Sequence, residues 1–508
     1  MTDDAVPRWV LDVTAFVAGF GVMGAEMAAG RLLAPYFGTS NLVWCLLIGS
    51  VLSALALGAY AGGLVSERRR SLTPAYAALL LAGIYLAVLP LGARPLLRST
   101  ALAFYRGNAL GLIIGGVAVT LMLALPVTVL GAMSPMLVHH AVPDRAKTGR
   151  IAGRLGAFGT LGSLLGTFIP GLVFVPLLGT DRCFQWCGAL LVGTGLLGLR
   201  RRWPLLSGLM GALVVAAGSA WWKPTIGNSS SPPLYEAESR YGYLRVTESA
   251  GLRRLYLNDG YAVQTVARLD GQPYLRSVWG YYALAPSWTL RGVLGSALVI
   301  GLGGGTSARG YATSYPGARV VGVEIDPAVA DVARRYFDLP GSVEVVIDDG
   351  RAALTRDARH YDLIVVDAFQ FPYVPFQLAT REFVELVRAH LERGGVFVIN
   401  VGRNGPHRDV VDAVAATVAK VFPHVHGVDV AGGSNTILAG TEHALASSAG
   451  IGALGLPDEQ ARLLASLDPL QPWPTVPGAP VLTDDLAPVE SLTDRIVLRE
   501  LWRLLGGT

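Results

Sequence analysis

Carboxylates recur behind a glycine-rich turn in the second half of this chain, and their order suggests a site before any element is assigned. The apolar run Ala297–Ile300 leads into Gly301-Leu-Gly-Gly-Gly-Thr306, the next run ends in Glu324-Ile-Asp326, a third in Asp348-Asp349-Gly350, and a fourth in Asp367. Glycines after a strand let the backbone approach a ligand and open the next helix. An acid about 20 positions further on suits the two hydroxyls of a ribose and would repel a 2′-phosphate. A carboxylate at Asp349 is placed to accept from an adenine amino group. A dinucleotide needs diphosphate oxygens at a helix N-terminus. Several acids in succession instead favour an adenosine with a cationic, sulfonium-type tail.

Those positions imply the elements that hold them. The four runs and a fifth, Gly395–Val401, alternate with helix-like segments at 327–336 and 380–391. That alternation predicts an α/β domain with a mostly parallel sheet covered on both faces, whose ligands bind at the carboxyl ends of the strands. Upstream, Tyr243–Ser249, Arg254–Asn258 and Tyr261–Val266 show period-two patterning broken by Asp259-Gly260, which predicts a small antiparallel sheet.

The first half is of another kind. The chain is 52% hydrophobic and 15% charged, against about 25% charged for an ordinary globular chain. Seven apolar runs, at 9–33, 42–65, 72–93, 108–138, 153–178, 183–199 and 205–222, approach the length of about 20 residues that a bilayer requires. Arginine-rich loops at 68–70, 145–154 and 200–202 place the N-terminus on the cytoplasmic side. Seven spans would then put the soluble half outside, whereas a cytosolic supply of sulfonium nucleotides argues for the cytoplasmic side. Glycines at 153, 156, 159, 162 and 166 predict close helix packing in lipid. Glu26 and Asp12 in the first run are intramembrane charges of the kind that mark ion paths or pair locally near a span end. The three cysteines, Cys45, Cys183 and Cys187, fit no metal template. The chain divides into a transmembrane domain at 1–222, a Ser/Pro/Gly linker at 223–233, a small β domain at 234–295 and a nucleoside-binding domain at 296–508. The expected partners are the lipid bilayer and a small amine, with no nucleic acid and no metal, and assembly of identical chains stays open.

The ordered set Leu257–Gly260, Gln264, Tyr274, Gly301–Gly305, Val323–Asp326, Asp349-Gly350, Val365–Asp367, Pro375, Leu378 and Phe383 resembles the spermidine synthases, the polyamine aminopropyltransferases, over about residues 236–405. Glu26–Gly38, Gly153–Gly166 and Thr483–Glu490 resemble segments of a membrane-fused subgroup of that family. The resemblance implies a Rossmann-like, methyltransferase-type fold. It also implies transfer of an aminopropyl group from decarboxylated S-adenosylmethionine to an amine such as putrescine, releasing methylthioadenosine. Within it, Gln264 and Glu324 would hold the nucleoside with Gly301, Gly303, Gly304, Asp326 and Gly350. Asp349 would take the adenine amine, Asp367 would be the base, and Tyr274 would line the amine channel.

Three departures remove negative charge: the family's loop aspartate is Gly304, its second aspartate after the base is Gln370, and the residues after the channel tyrosine are Leu275 and Arg276. Asp484, Asp485 or Glu490 would have to fold back to replace them. Two rival readings follow. One is a transferase using intact S-adenosylmethionine on a less cationic acceptor, and the other a transporter or sensor whose soluble domain only binds a nucleoside.

Overall fold

A computed structural model describes residues 6–37, 41–68, 71–105, 109–142, 148–199, 232–258, 263–368, 374–403, 407–445 and 458–492. The seventh apolar run at 205–222 and Gln370 lie outside the described residues. The chain forms two compact units, Met1–Gly227 and Asn228–Thr508.

The first unit contains, among the described residues, six helices long and apolar enough to cross a membrane: Arg8–Phe37, Val43–Arg68, Thr73–Leu97, Val117–Ala141, Thr148–Phe174 and Thr180–Leu199. They pack chiefly in pairs, first with fifth, second with fourth and third with sixth, at small residues. A methyl group built on Gly162 would lie 1.9 Å from the Phe16 carbonyl oxygen, and one on Gly58 2.1 Å from that of Thr128. Lipid offers helices no hydrophobic drive to associate, so this close backbone approach supplies the packing energy. Gly153 and Gly156, by contrast, meet nothing within 4 Å, and the stripe works only over its second half. Ion pairs that cross the bundle among the described residues include Arg94–Asp181 at 2.6 Å and Arg154–Asp12 at 3.1 Å.

The second unit opens with a four-stranded antiparallel sheet in chain order, β1 (Pro233–Glu238), β2 (Tyr243–Ser249), β3 (Leu252–Leu257) and β4 (Val263–Arg268). β1 begins at Pro233, the last residue of the expected linker. Then come β5 (Ser296–Ile300), β6 (Arg319–Glu324), β7 (Glu344–Ile347), β8 (Tyr361–Val366), β9 (Leu391–Gly402), β10 (His424–Asp429), β11 (Asn435–Thr441) and β12 (Gln471–Pro472), in the spatial order β12-β10-β11-β9-β8-β5-β6-β7. β7, β6, β5, β8 and β9 run parallel, and β11 is antiparallel between β9 and β10. This is the methyltransferase-like α/β fold with a mixed sheet. The central strands are apolar throughout because both faces are covered. Leu298, Ile364 and Phe397 pack into one core, and Val299, Val365 and Val398 into the other.

A C-terminal strap closes over one face. Leu482, Val489 and Leu492 are buried in that core, while Arg381 N donates to the Leu482 carbonyl and Leu482 N to Thr417 Oγ1.

Candidate active site

Reversal at the strand order, between β5 and β8, leaves a crevice above the carboxyl ends, and the glycine turn lies in it. Gly301 has φ +87°, and a side chain there would strike the Asp367 carbonyl at 2.4 Å; Asp367 N in turn donates to the Ile300 carbonyl at 2.8 Å. Only glycine satisfies both the left-handed backbone and that approach. Glu324 Oε2 accepts from Gly303 N at 3.0 Å and its Oε1 from Asp326 N at 3.1 Å. Gly304 N donates to Thr265 Oγ1 on β4 at 2.8 Å. The loop is thus braced by the end of β8, the end of β6 and the small antiparallel sheet. Gly301, Gly303, Gly304, Glu324 and Asp367 are brought together around it. Gln264, half-buried, precedes Thr265 on β4.

The two acids differ in setting. Glu324 is buried, and desolvation raises its pKa to about 6 despite the N–H groups of Asp326 and Gly303, which favour the anion. Asp367 keeps some exposure, yet burial raises its pKa too. Its Oδ1 accepts from Asn400 Nδ2 at 2.9 Å, and Asn400 Oδ1 accepts from Asn435 Nδ2 at 3.0 Å. Tyr282 Oη, on the helix Val278–Leu284 and buried without a hydrogen bond of good geometry, lies near enough to draw the Asp367 pKa down, and Tyr311 Oη donates to the Tyr282 carbonyl at 2.9 Å.

Beside Glu324 opens a cleft of about 590 Å³ lined by Ser239, Tyr241, Ile325, Asp326, Ile347 and Asp349, among others. Ile325 and Ile347 are 41% and 47% exposed and give apolar walls to a planar ring. Asp349 Oδ1 caps the helix Gly350–Arg356, accepting from Arg351 N and Ala352 N at 3.0 Å each, while Oδ2 lies 3.5 Å from Gln377 Nε2 and faces the cleft rim. Gly350 sits where a side chain would strike Ile300 at 2.3 Å.

Residues 294–431 match the family model described as the spermine/spermidine synthase domain. That stretch of the second unit is similar to spermidine synthases. A probable polyamine aminopropyl transferase of Bifidobacterium longum is 37% identical over 209 residues, which is 40% of this chain and 44% of that protein, so the chain spans less than half of that relative. A polyamine aminopropyltransferase of Corynebacterium efficiens is 28% identical over 409 residues, 68% of this chain and 76% of that protein. A solved probable spermidine synthase from Corynebacterium glutamicum ATCC 13032 shares 22% identity over 50% of this chain and 97% of its own, with a TM-score of 0.40.

The structure gives three of the expected site residues, Asp326, Asp484 and Tyr274, other partners. Asp326 is a structural acid: Oδ1 caps the helix Pro327–Tyr336 by accepting from Ala328 N at 2.9 Å, and Oδ2 accepts from Ser239 Oγ. Both oxygens are therefore engaged, and only its edge borders the cleft. Asp484 is engaged elsewhere, its two oxygens taking the Arg351 fork at 2.6 Å each. That pair ties the strap to the helix behind Asp349. Asp485 is exposed on the same turn and Glu490 half-buried just beyond it. Tyr274 packs edge-on to Trp279 at 5.4 Å in a second pocket, floored by Tyr311 and Tyr315 and rimmed by Thr306 and Arg309. None of the cleft's residues line it.

Thr265 occupies the space that a side chain at 304 would need. A methyl group at 304 would lie 2.5 Å from Thr265 Cγ2. Leu275 is turned into the core and Arg276 to solvent. Sequence reasoning missed Thr265, Tyr282, Ile325, Ile347 and Asn400. Of these, only the paired isoleucines beside acids at strand ends, and Asn400 at the end of β9, carried a readable signal.

Proposed function

We propose that this chain is a membrane-attached transferase that moves an alkyl group from the sulfonium of an S-adenosylmethionine-derived nucleoside to an amine, and that Asp367 is its base. The observation that supports this best is the convergence of Glu324 and Asp367 on the glycine loop, with an apolar-walled cleft opening next to Glu324. In that reading Ile325 and Ile347 sandwich the adenine, Asp349 Oδ2 accepts from its amino group and Glu324 holds the ribose. The amine nitrogen attacks the methylene next to sulfur, the C–S bond breaks with its electron pair moving to sulfur, and a neutral thioether leaves. The nitrogen's proton passes to Asp367. The sulfonium is already activated, so the protein's work is alignment and a deprotonated nucleophile. A raised carboxyl pKa brings the base nearer the operating pH, which favours that transfer. Cytosolic supply of the nucleoside argues for the second unit lying on the cytoplasmic side.

The donor in the first reading is decarboxylated S-adenosylmethionine, the acceptor a small amine such as putrescine and the leaving group methylthioadenosine. Thr265 filling the space over Gly304 favours a second reading, in which intact S-adenosylmethionine alkylates a less cationic acceptor. The test is the purified full-length chain with each donor and putrescine. Methylthioadenosine from the decarboxylated donor supports the first reading and S-adenosylhomocysteine from the intact donor the second. If neither product forms, and calorimetry detects no binding of either nucleoside, the proposal fails.

A further inference from the structure

Against the helix Thr306–Ser314, which opens directly from the glycine turn, lies the second pocket, about 90 Å³ in volume. The aromatic rings of Tyr274, Trp279, Tyr311 and Tyr315 line it, and Arg309 and Gly310 border the same space. Two features of that helix have no packing reason. The Arg309 side chain is only 14% exposed, yet its ion partner among the described residues is Asp338, 3.9 Å away and itself 78% exposed. Among the described residues the guanidinium makes no hydrogen bond, although it offers a planar fork of N–H donors. A charge so largely covered is costly without a partner. Gly310 stands in the middle of the helix, where glycine is weaker than alanine. Gly162 earns its place by admitting a neighbouring backbone, but a methyl group built on Gly310 meets nothing within 4 Å. The side chain missing at 310 therefore leaves open space in the pocket.

One cation, an apolar aromatic enclosure and space kept clear occur together here. Arg309 repels an ammonium, and inorganic phosphate would leave the rings unused. A ring bearing a carboxylate uses all three features. The guanidinium fork takes both carboxylate oxygens, and the ring packs against the aromatic walls. We propose that this pocket is a binding site for a small aromatic carboxylate, held by Arg309 and enclosed by Trp279 and the tyrosines. It shares no residue with the cleft beside Glu324, and it does not depend on the transfer reaction proposed above.

The test is calorimetric titration of the full-length chain in zwitterionic nanodiscs with sodium benzoate and, separately, benzylamine hydrochloride, each against empty nanodiscs. The wild type binds benzoate saturably and does not bind benzylamine. Arg309→Gln weakens benzoate binding by about tenfold or more, as expected for the loss of a charge-assisted pair. Gly310→Leu fills the space and abolishes binding, with a thermal midpoint no lower than that of the wild type, since leucine is the better helix former. Saturating methylthioadenosine leaves benzoate affinity unchanged. Absence of saturable benzoate binding by the wild type, equal binding of benzylamine, displacement by methylthioadenosine, or wild-type affinity in either variant overturns the site. Should Gly310→Leu melt early, Arg309→Gln decides alone. A chain that binds benzoate but releases no methylthioadenosine would refute the transfer reaction and leave this site standing, so the two proposals fall separately.

Discussion

Restoring the family's loop aspartate should break this protein unless β4 is changed with it. In Gly304→Asp the new Cβ lies 2.5 Å from Thr265 Cγ2, 2.9 Å from its Cβ and 3.0 Å from its Oγ1. Overpacking of this kind costs about 1–3 kcal/mol. The Gly304 N–Thr265 Oγ1 hydrogen bond of 2.8 Å would be strained as well, at about 1 kcal/mol. The sum, about 2–4 kcal/mol, corresponds to several degrees of thermal midpoint at about 2–4 °C per kcal/mol for a domain of this order. Thr265→Ala alone loses that hydrogen bond and a buried methyl, but in the double variant it clears two of the three contacts. A double-mutant cycle on the full-length chain should therefore give a favourable coupling of about 1–3 kcal/mol. The double variant should also shift donor preference toward the decarboxylated nucleoside by tenfold or more, since it regains a carboxylate for an ammonium. The steric account is refuted if Gly304→Asp melts with the wild type, or if the two substitutions are additive.

Other outcomes follow from the same geometry. Asp367→Asn should lower turnover by about 10²–10⁴, the usual loss for a general base, with methylthioadenosine affinity nearly unchanged by calorimetry. Glu324, raised to about 6 by burial, should make nucleoside affinity climb as pH rises through about 6 and then level off. Stability moves the opposite way. The folded carboxyl holds its proton more tightly than an unfolded glutamate at 4.5, so its favourable contribution is full below 4.5 and is lost as pH rises through 6. At about 1.4 kcal/mol per unit this amounts to about 2 kcal/mol, and Glu324→Gln should flatten that part of a stability–pH curve. Asp484→Asn should cost at most about 1 kcal/mol, because the pair is partly exposed at 26% and 43%; the loss should shrink further at high salt. Gly162→Leu should reduce the yield of folded chain from membranes, since its first side-chain atom meets the Phe16 carbonyl at 1.9 Å.

Local signals in the sequence account for the central strands, the glycine turn, Glu324 and Asp367. An apolar run ending in an acid announces both a buried strand and its solvated end. The capping role of Asp326 is legible from its neighbour: Asp before Pro327 is the cap-and-first-turn pattern of a helix start. Asp349 combines both roles, capping with one oxygen while the other faces the cleft rim, and no spacing rule separates such cases. The strand His424–Asp429 has no clean alternation, and β1 is hidden by the prolines of the linker. What the sequence could not disclose is long-range contact. Thr265 meets Gly304 across 39 positions and Asp484 meets Arg351 across 133; neither pair has a local pattern.

Asp367 and Asp484 show how the fold assigns opposite tasks to one residue type. Asp484 faces a guanidinium, which pulls its pKa below the usual carboxylate range, and its charge is used in holding the strap. Among the described residues Asp367 has no ion pair. Its polar neighbours are the neutral groups Asn400 and Tyr282, and burial outweighs both, so its pKa rises. A carboxylate already neutralised by arginine would have little attraction left for an ammonium and little basicity to take its proton. One held by neutral donors in a desolvated setting keeps both. The relay from Asn435 through Asn400 fixes Oδ1, which leaves Oδ2 as the atom for the incoming amine. Replacing Asn400 with aspartate should therefore damage the reaction more than replacing it with alanine. The alanine removes a donor, whereas the aspartate sets a second negative charge beside the first and drives Asp367 toward its protonated form. A pH–rate profile distinguishes the two, because its acid limb should move upward in the aspartate variant by more than in the alanine variant. An unmoved limb would mean that Asp367 is not the titrating base.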